Sequence, residues 1–228
     1  MSANRINWAD YAKGLCIILF VTAQSVTGYA QMTGQPSWMG FAAAWTVPVV
    51  VPTLFILSGL FVKRTLFGSK STFFDRKVLR FAYFYLVWLV VQTVILHALG
   101  AAFDPMGLVN PLLLGLVQPA SGLWIIPMLA LFHAATWLLR FVPSVNVLVI
   151  AAVAQILHAA GLINTGWLVI DATAQYFVFF YAGYQGAPLF RQFADRLSKG
   201  FSDVPIALVI WATVNTVLFA QNTAGLPV

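Results

Sequence analysis

Residues 63–100 read KRTLFGSKSTFFDRKVLRFAYFYLVWLVVQTVILHALG. Up to Arg80 the stretch holds Lys63, Arg64, Lys70, Arg76, Lys77 and Arg80 against one acid, Asp75; from Phe81 onward it holds no Asp, Glu, Lys or Arg. A helical apolar run of about 20 residues covers the roughly 30 Å of a bilayer's hydrocarbon core. Lys and Arg gather on the cytoplasmic flanks of such helices. This stretch is therefore expected to leave the cytoplasm at Arg80 and cross the membrane.

The same pattern recurs outward in both directions. Spans are expected at residues 11–30, 41–62, 81–100, 123–139, 145–162, 172–186 and 204–220. All twelve Lys and Arg then fall on alternate connections: Arg5 and Lys13, the six of 63–80, Arg140, and Arg191, Arg196 and Lys199. That alternation places the N-terminus in the cytoplasm and, with seven spans, the C-terminus outside. The apolar stretch 108–118 is too short to cross, and Pro111 and Pro119 flank or break it. It is expected to be interfacial or re-entrant on the outer side.

Composition excludes other classes. Of 228 residues, 61% are hydrophobic and 8% charged, and the mean hydropathy is +0.88. A soluble domain carries roughly 25% charged residues. Outer-membrane barrels alternate apolar and polar positions, whereas the runs here are unbroken. The net charge of +6 follows the membrane topology, so no nucleic-acid partner is expected. One cysteine, Cys16, excludes an internal disulfide framework and a cysteine-based metal cluster, and no metal is expected. The apolar run after Arg5 and Lys13 is expected to be a retained first span, because Asp10 and Lys13 lie too close to it for a cleaved signal peptide. The expected fold is all-α: a polytopic transmembrane helix bundle of about seven spans, in a bacterial-type inner (plasma) membrane. It is read as one domain over residues 1–228.

Lys13 and Gln24 are eleven positions apart, which is about three helical turns, so both lie on one face, with Gln24 roughly 16 Å deeper. Thr22, Ser25 and Thr27 add polar atoms nearby. Polar groups inside a membrane face the bundle or a wet cavity; alternatively, Gln24 bonds a neighbouring helix and Lys13 reaches the headgroups. Pro48 and Pro52 each remove a backbone donor and lead us to expect an irregular second helix, as a packing kink or beside a cavity. The 63–80 cations serve topology, anionic headgroups, or the phosphates of a soluble cofactor. His97 and His158 lie near the outer side, as do Asp104 and Asp171. A histidine beside a carboxylate can act as a base, and one inside a bundle can equally join helices by a hydrogen bond. His133 offers the same choice. The P-loop, His-Glu-x-x-His and Gly-x-Ser-x-Gly motifs are absent, and no lysine lies mid-membrane to hold a retinal Schiff base.

Four segments resemble the acyltransferase type 3 family of membrane O-acyltransferases. Asp10-Tyr11-Ala12-Lys13-Gly14 and the apolar run after it are similar to the family's opening Asp-x-x-Arg/Lys-Gly. Leu54-Phe55-Ile56-Leu57-Ser58-Gly59-Leu60-Phe61 resembles its Phe-Phe-x-Leu-Ser-Gly-Phe. Phe74 with Arg76-Lys77-Val78-Leu79-Arg80 and Tyr85 resembles its Arg-Arg-x-x-Arg entry to the third helix. Gly122-Leu123-Trp124-Ile125-Ile126-Pro127 resembles its Leu-Trp-Phe-Leu. Tyr176-Phe177-Val178-Phe179-Phe180 before Gly183-Tyr184 fits as well.

The resemblance implies transfer of an acyl, often acetyl, group from cytoplasmic acyl-CoA to a hydroxyl of a glycan or lipid-linked sugar. It implies that Arg76, Lys77 and Arg80 hold the CoA phosphates and that Lys13 and Gln24 line the acyl path. The chain departs from the family where an Arg, ten residues and an essential His are expected. The pair here is Lys13 and Gln24. Glutamine cannot serve as a general base or carry an acyl group, so His97 or His158 would have to serve. Family members have about ten spans, so the chain is expected to lack the last helices. Three functions are therefore weighed: an O-acyltransferase of the cell envelope, a non-catalytic relative acting as a binding or scaffold component, and, last, a small-molecule transporter suggested by the interrupted second helix.

Overall fold

A computed structural model of the chain describes residues 7–34, 38–66, 69, 73–98, 106–119, 121–199, 209, 212, 213 and 216. Among these the regular structure is helical. The expectations for Arg5, Lys70, Asp104 and most of the span at 204–220 lie outside them. The chain divides into two compact units, Met1–Leu60 with Gly183–Val228, and Phe61–Ala182.

In the first unit, α1 (Asn7–Thr33) and α2 (Trp38–Gly59) pack together. Cys16, Phe20, Ala23 and Val26 form the buried stripe of α1, at the spacing one helix face requires. Ala23 and Val26 close on Ala43 and Val47 of α2. α2 differs from expectation: it stays helical through both Pro48 and Pro52. Each proline removes one donor, but in an apolar setting every further unmade backbone bond costs several kcal/mol. The chain keeps its remaining bonds rather than opening. From the far part of the chain, Trp45 Nε1–H donates to Thr216 Oγ1 at 3.3 Å. Thr213 and Thr216 donate to the carbonyls of Val209 and Ala212, four residues back, as in a helix.

In the second unit a short α3 (Val62–Leu66) precedes a π-helical turn, Asp75–Leu79, which runs directly into α4 (Arg80–Ala98). Then come α5 (Val109–Val117), α6 (Ile125–Leu138) and α7 (Ser144–Ala159). α5 has 9 residues and spans about 14 Å, so it is too short to cross a bilayer. The last long helix, α8 (Leu168–Lys199), has 32 residues and continues through Pro188. The span expected at residues 172–186 lies within it. At 1.5 Å per residue it is about 48 Å long, well beyond a bilayer core. Its far half carries Arg191, Arg196 and Lys199, which favour water.

The core of the second unit is aromatic. Phe132 packs edge-on to Phe177, with centroids 5.4 Å apart, and against Phe180 at 5.7 Å. His133 is 1% exposed, its Nδ1 lies 2.6 Å from the Leu129 carbonyl oxygen, and Phe73, Phe81 and Phe180 surround its ring. Because a carbonyl only accepts, Nδ1 carries the proton; His133 is a core residue. The outside is apolar as well. On α4, Tyr83, Phe84, Leu86, Val87, Trp88, Val90, Val94 and Ile95 are exposed while Tyr85 and Leu89 are buried. Water does not tolerate so continuous an apolar surface, and lipid does. Among the described residues four helical segments, Asp10–Ala30, Trp38–Gly59, Asp75–Ile95 and Gly122–Phe141, are long and apolar enough to cross a membrane; Ser144–Ala159 is a shorter apolar helix.

Candidate functional site

The residues singled out from sequence fall in both units. Lys13 and Gln24 belong to the first; His97, His158, Arg76, Lys77 and Arg80 belong to the second. Because α1 is one continuous helix, Lys13 and Gln24 do share a face, and both are half-buried beside the stripe of Cys16, Phe20 and Ala23. Thr22 and Ser25 do not join that face. They are exposed and donate to the carbonyls of Ile18 and Val21, each at 2.9 Å. A hydroxyl that bonds its own helix four residues back needs no neighbour, so these two add no polar lining. Thr27 bonds Ala23 in the same way.

The second unit has two chemically different ends. At one end lies the π-helical turn. Its defining bond runs from the Arg80 N–H to the Asp75 carbonyl, an i→i+5 step of the kind frequent at functional sites. The turn brings Arg76, Lys77 and Arg80 together where α4 begins; Arg76 and Arg80 are exposed and Lys77 is half-buried. Cations at a helix start oppose the helix dipole, and an anion bound there would relieve that opposition. Phe74 meets Trp137 edge-on at 5.1 Å, and the Arg140 guanidinium sits 4.3 Å above the Trp137 ring. Arg140 therefore joins the same cationic end, held by a cation–π contact.

At the other end the start of α6 meets the start of α8. Trp124 and Tyr176 stack with centroids 5.5 Å apart and planes 30° from parallel. With Gly166, Leu168, Asp171, Ala172 and Gln175 they line a cavity of about 300 Å³. Its rim is the loop before α8. Asp171 Oδ1 accepts from the Thr165 N–H and hydroxyl, both at 3.0 Å, and Oδ2 accepts from the Gly166 N–H at 3.1 Å. Gly166 has φ of 74°, a left-handed conformation that favours glycine. The Gln118 side-chain amide donates to the Gly166 carbonyl at 3.1 Å, tying the loop to the end of α5.

His158, half-buried at the end of α7, donates from Nδ1 to the Ile163 carbonyl at 2.8 Å. The neutral ring therefore has Nε2 as its acceptor atom. The Thr165 backbone N–H is the main cause holding the Asp171 carboxyl below its ordinary 3.8; the Thr165 hydroxyl, the Gly166 N–H and the charge of His158 add to it. His158 and Asp171 both hold the loop before α8, His158 at Ile163 and Asp171 at Thr165 and Gly166. His97 ends α4 and is half-buried. Among the described residues no three His, Cys, Asp or Glu side chains gather as a metal site would require.

Asp171 carries a testable sign. Its folded pKa is depressed, so its contribution to stability is present above the unfolded carboxylate value and lost as pH falls through the folded value. Amide exchange at Thr165 and Gly166 is expected to speed up below pH 3.8. In Asp171→Asn that acid-induced step disappears; an unchanged profile in the variant would contradict the assignment.

The cavity is what sequence reasoning missed. Trp124 and Tyr176 stood inside the family-like segments and Asp171 was noted as an outer acid, but nothing in the sequence said that these three and Gln175 meet. The model of the acyltransferase type 3 family, described as an acyltransferase domain, matches residues 6–227. Neither a curated protein nor a solved structure matches the chain.

Proposed function

The chain belongs to the acyltransferase type 3 family, and from that premise we propose that it moves an acetyl-like group from cytoplasmic acyl-CoA to a hydroxyl of an envelope glycan or lipid-linked sugar. The observation that carries this reading is the family match over nearly the whole chain. The topology that goes with it is about seven spans in an inner (plasma) membrane, with the N-terminus and the cationic end of the second unit in the cytoplasm.

Arg76, Lys77 and Arg80 hold the phosphates of the donor, since guanidinium forks and an ammonium both pair with phosphate oxygens. Lys13 and Gln24 line the acyl path. The Gln24 side-chain amide offers that path an N–H donor and a carbonyl acceptor. It cannot take a proton. That task falls to His158: Nε2 accepts the proton of the attacking hydroxyl, its oxygen forms the ester bond to the acyl carbon, and the carbon–sulfur bond breaks to release CoA as a thiolate. Asp171 stabilises the imidazolium that results.

A second reading, a non-catalytic relative that binds or scaffolds envelope components, is favoured by Gln24 alone. The transporter reading rested on an interrupted second helix, and α2 is helical throughout.

Binding of labelled acetyl-CoA to the purified protein separates the two. We expect saturable binding by the wild type and a loss of about tenfold or more in Arg80→Ala, as for a charge-assisted hydrogen bond. A folded wild type that binds no acetyl-CoA would overturn the enzymatic reading and leave the scaffold.

A further inference from the structure

We propose that the cavity between the starts of α6 and α8 is the acceptor subsite and takes one neutral pyranose ring, seated against Trp124 and Tyr176 with hydroxyls bonded to Asp171 and Gln175. The proposal rests on the acyltransferase reading for the word acceptor, but not for the ligand. A volume of about 300 Å³ is at the small end of ligand pockets and holds a single ring. The lining combines two surfaces that a sugar also combines. The aromatic rings offer electron-rich faces, which attract the weakly positive axial C–H bonds on one side of a pyranose. Asp171 and Gln175 offer the directional partners that its hydroxyls need.

The carboxylate has capacity left. A carboxylate offers about four acceptor positions. Thr165 and Gly166 use three of them, and the fourth, on Oδ2, suits a sugar hydroxyl. The Thr165 and Gly166 bonds hold the group still, so little ordering is lost on binding. The same charge sets specificity: a uronic acid would bring a second carboxylate against Asp171 and be rejected, whereas a neutral or N-acetylated ring would not. The cavity also lies at the end of the unit that carries His158, and away from Arg76, Lys77, Arg80 and Arg140. A ring bound there would present a hydroxyl to the side of the proposed base, away from the donor phosphates.

The test is saturation-transfer NMR on the protein in lipid nanodiscs, with the methyl glycosides of glucose, galactose, mannose and N-acetylglucosamine and with methyl glucuronoside as the charged comparison. At least one neutral glycoside is expected to bind saturably. Tyr176→Leu and Gln175→Leu should each weaken it by about tenfold, the loss of one well-made contact. Gln175→Leu guards against a merely misfolded Tyr176 variant. Methyl glucuronoside should bind more weakly to the wild type and regain affinity in Asp171→Asn. If no glycoside saturates on folded wild type, or if binding survives in both leucine variants, the proposal is wrong. Sugar binding by a protein that binds no acetyl-CoA would keep the site and remove the reaction. Acetyl-CoA binding without sugar binding would do the reverse.

Discussion

Gly183→Ala is expected to destabilise the protein by about 1–3 kcal/mol or more, the usual range for overpacking a close contact. Gly183 of α8 lies against the backbone of Ile56 in α2. A methyl group built there would overlap the Ile56 carbonyl oxygen and sit within 2.9 Å of its Cα. The obstacle is backbone, so no side-chain rotation relieves it, and the two helices must part. Small residues at such crossings are what let helices approach without a hydrophobic drive between them in lipid. The comparison is Gly14→Ala on α1. Nothing lies within 4 Å of the added carbon there, and alanine replaces glycine inside a helix, a gain of about 0.5–1 kcal/mol. Thermal unfolding in one detergent should therefore shift in opposite directions for the two variants. Equal and small shifts would mean that α2 and α8 do not meet at Gly183.

His158→Asn is expected to lower the rate of acyl transfer by about 10²–10⁴, the usual contribution of a positioned general base. The substitution is chosen so that fold and chemistry separate. An asparagine amide can still donate to the Ile163 carbonyl, as His158 Nδ1 does now, but it offers no basic nitrogen in place of Nε2. The fall should appear in kcat, with acetyl-CoA affinity unchanged, because Arg76, Lys77 and Arg80, the residues proposed to hold the donor, lie at the other end of the unit. A purely structural histidine would lose stability and leave kcat of the folded fraction alone. If His97→Ala abolished transfer and His158→Asn did not, the base would be His97.

Much of the architecture was legible because bilayer physics is severe. Backbone groups in lipid must be satisfied within a helix, so the long apolar runs at 11–30, 41–62 and 81–100 could hardly fold otherwise, and they correspond to α1, α2 and α4. Pro119 lies just beyond α5, while Pro111 sits in its first turn, where the missing donor costs little. Pro48 and Pro52 announced an irregular second helix, yet α2 runs on through both, since in an apolar setting opening further bonds would expose more unpaired groups. That Thr22 and Ser25 bond their hydroxyls to their own helix is not announced by the sequence, because such a bond has no need of a neighbour.

The site was legible in parts and not as an assembly. Cations at Arg76, Lys77 and Arg80 could be read from sequence, but their gathering on a π-helical turn depends on one i→i+5 bond that no spacing announces. The Trp124–Tyr176 cavity joins residues from helices distant in the chain. Only the Asp171 carboxylate reaching back to Thr165 and Gly166 was local enough to anticipate, as an acid in the first turn of a helix.

Acyl transfer by this protein is followed on the acyl group itself. Membranes containing the protein are supplied with acetyl-CoA labelled in the acetyl group, and the glycan and lipid-linked sugar fractions are then assayed for label released by mild alkali, as an O-acetyl ester is. Alkali-labile label is expected in one of those fractions from wild-type membranes, with little from Arg80→Ala and His158→Asn membranes of equal protein content. Folded wild-type protein that leaves all the label on CoA would contradict it.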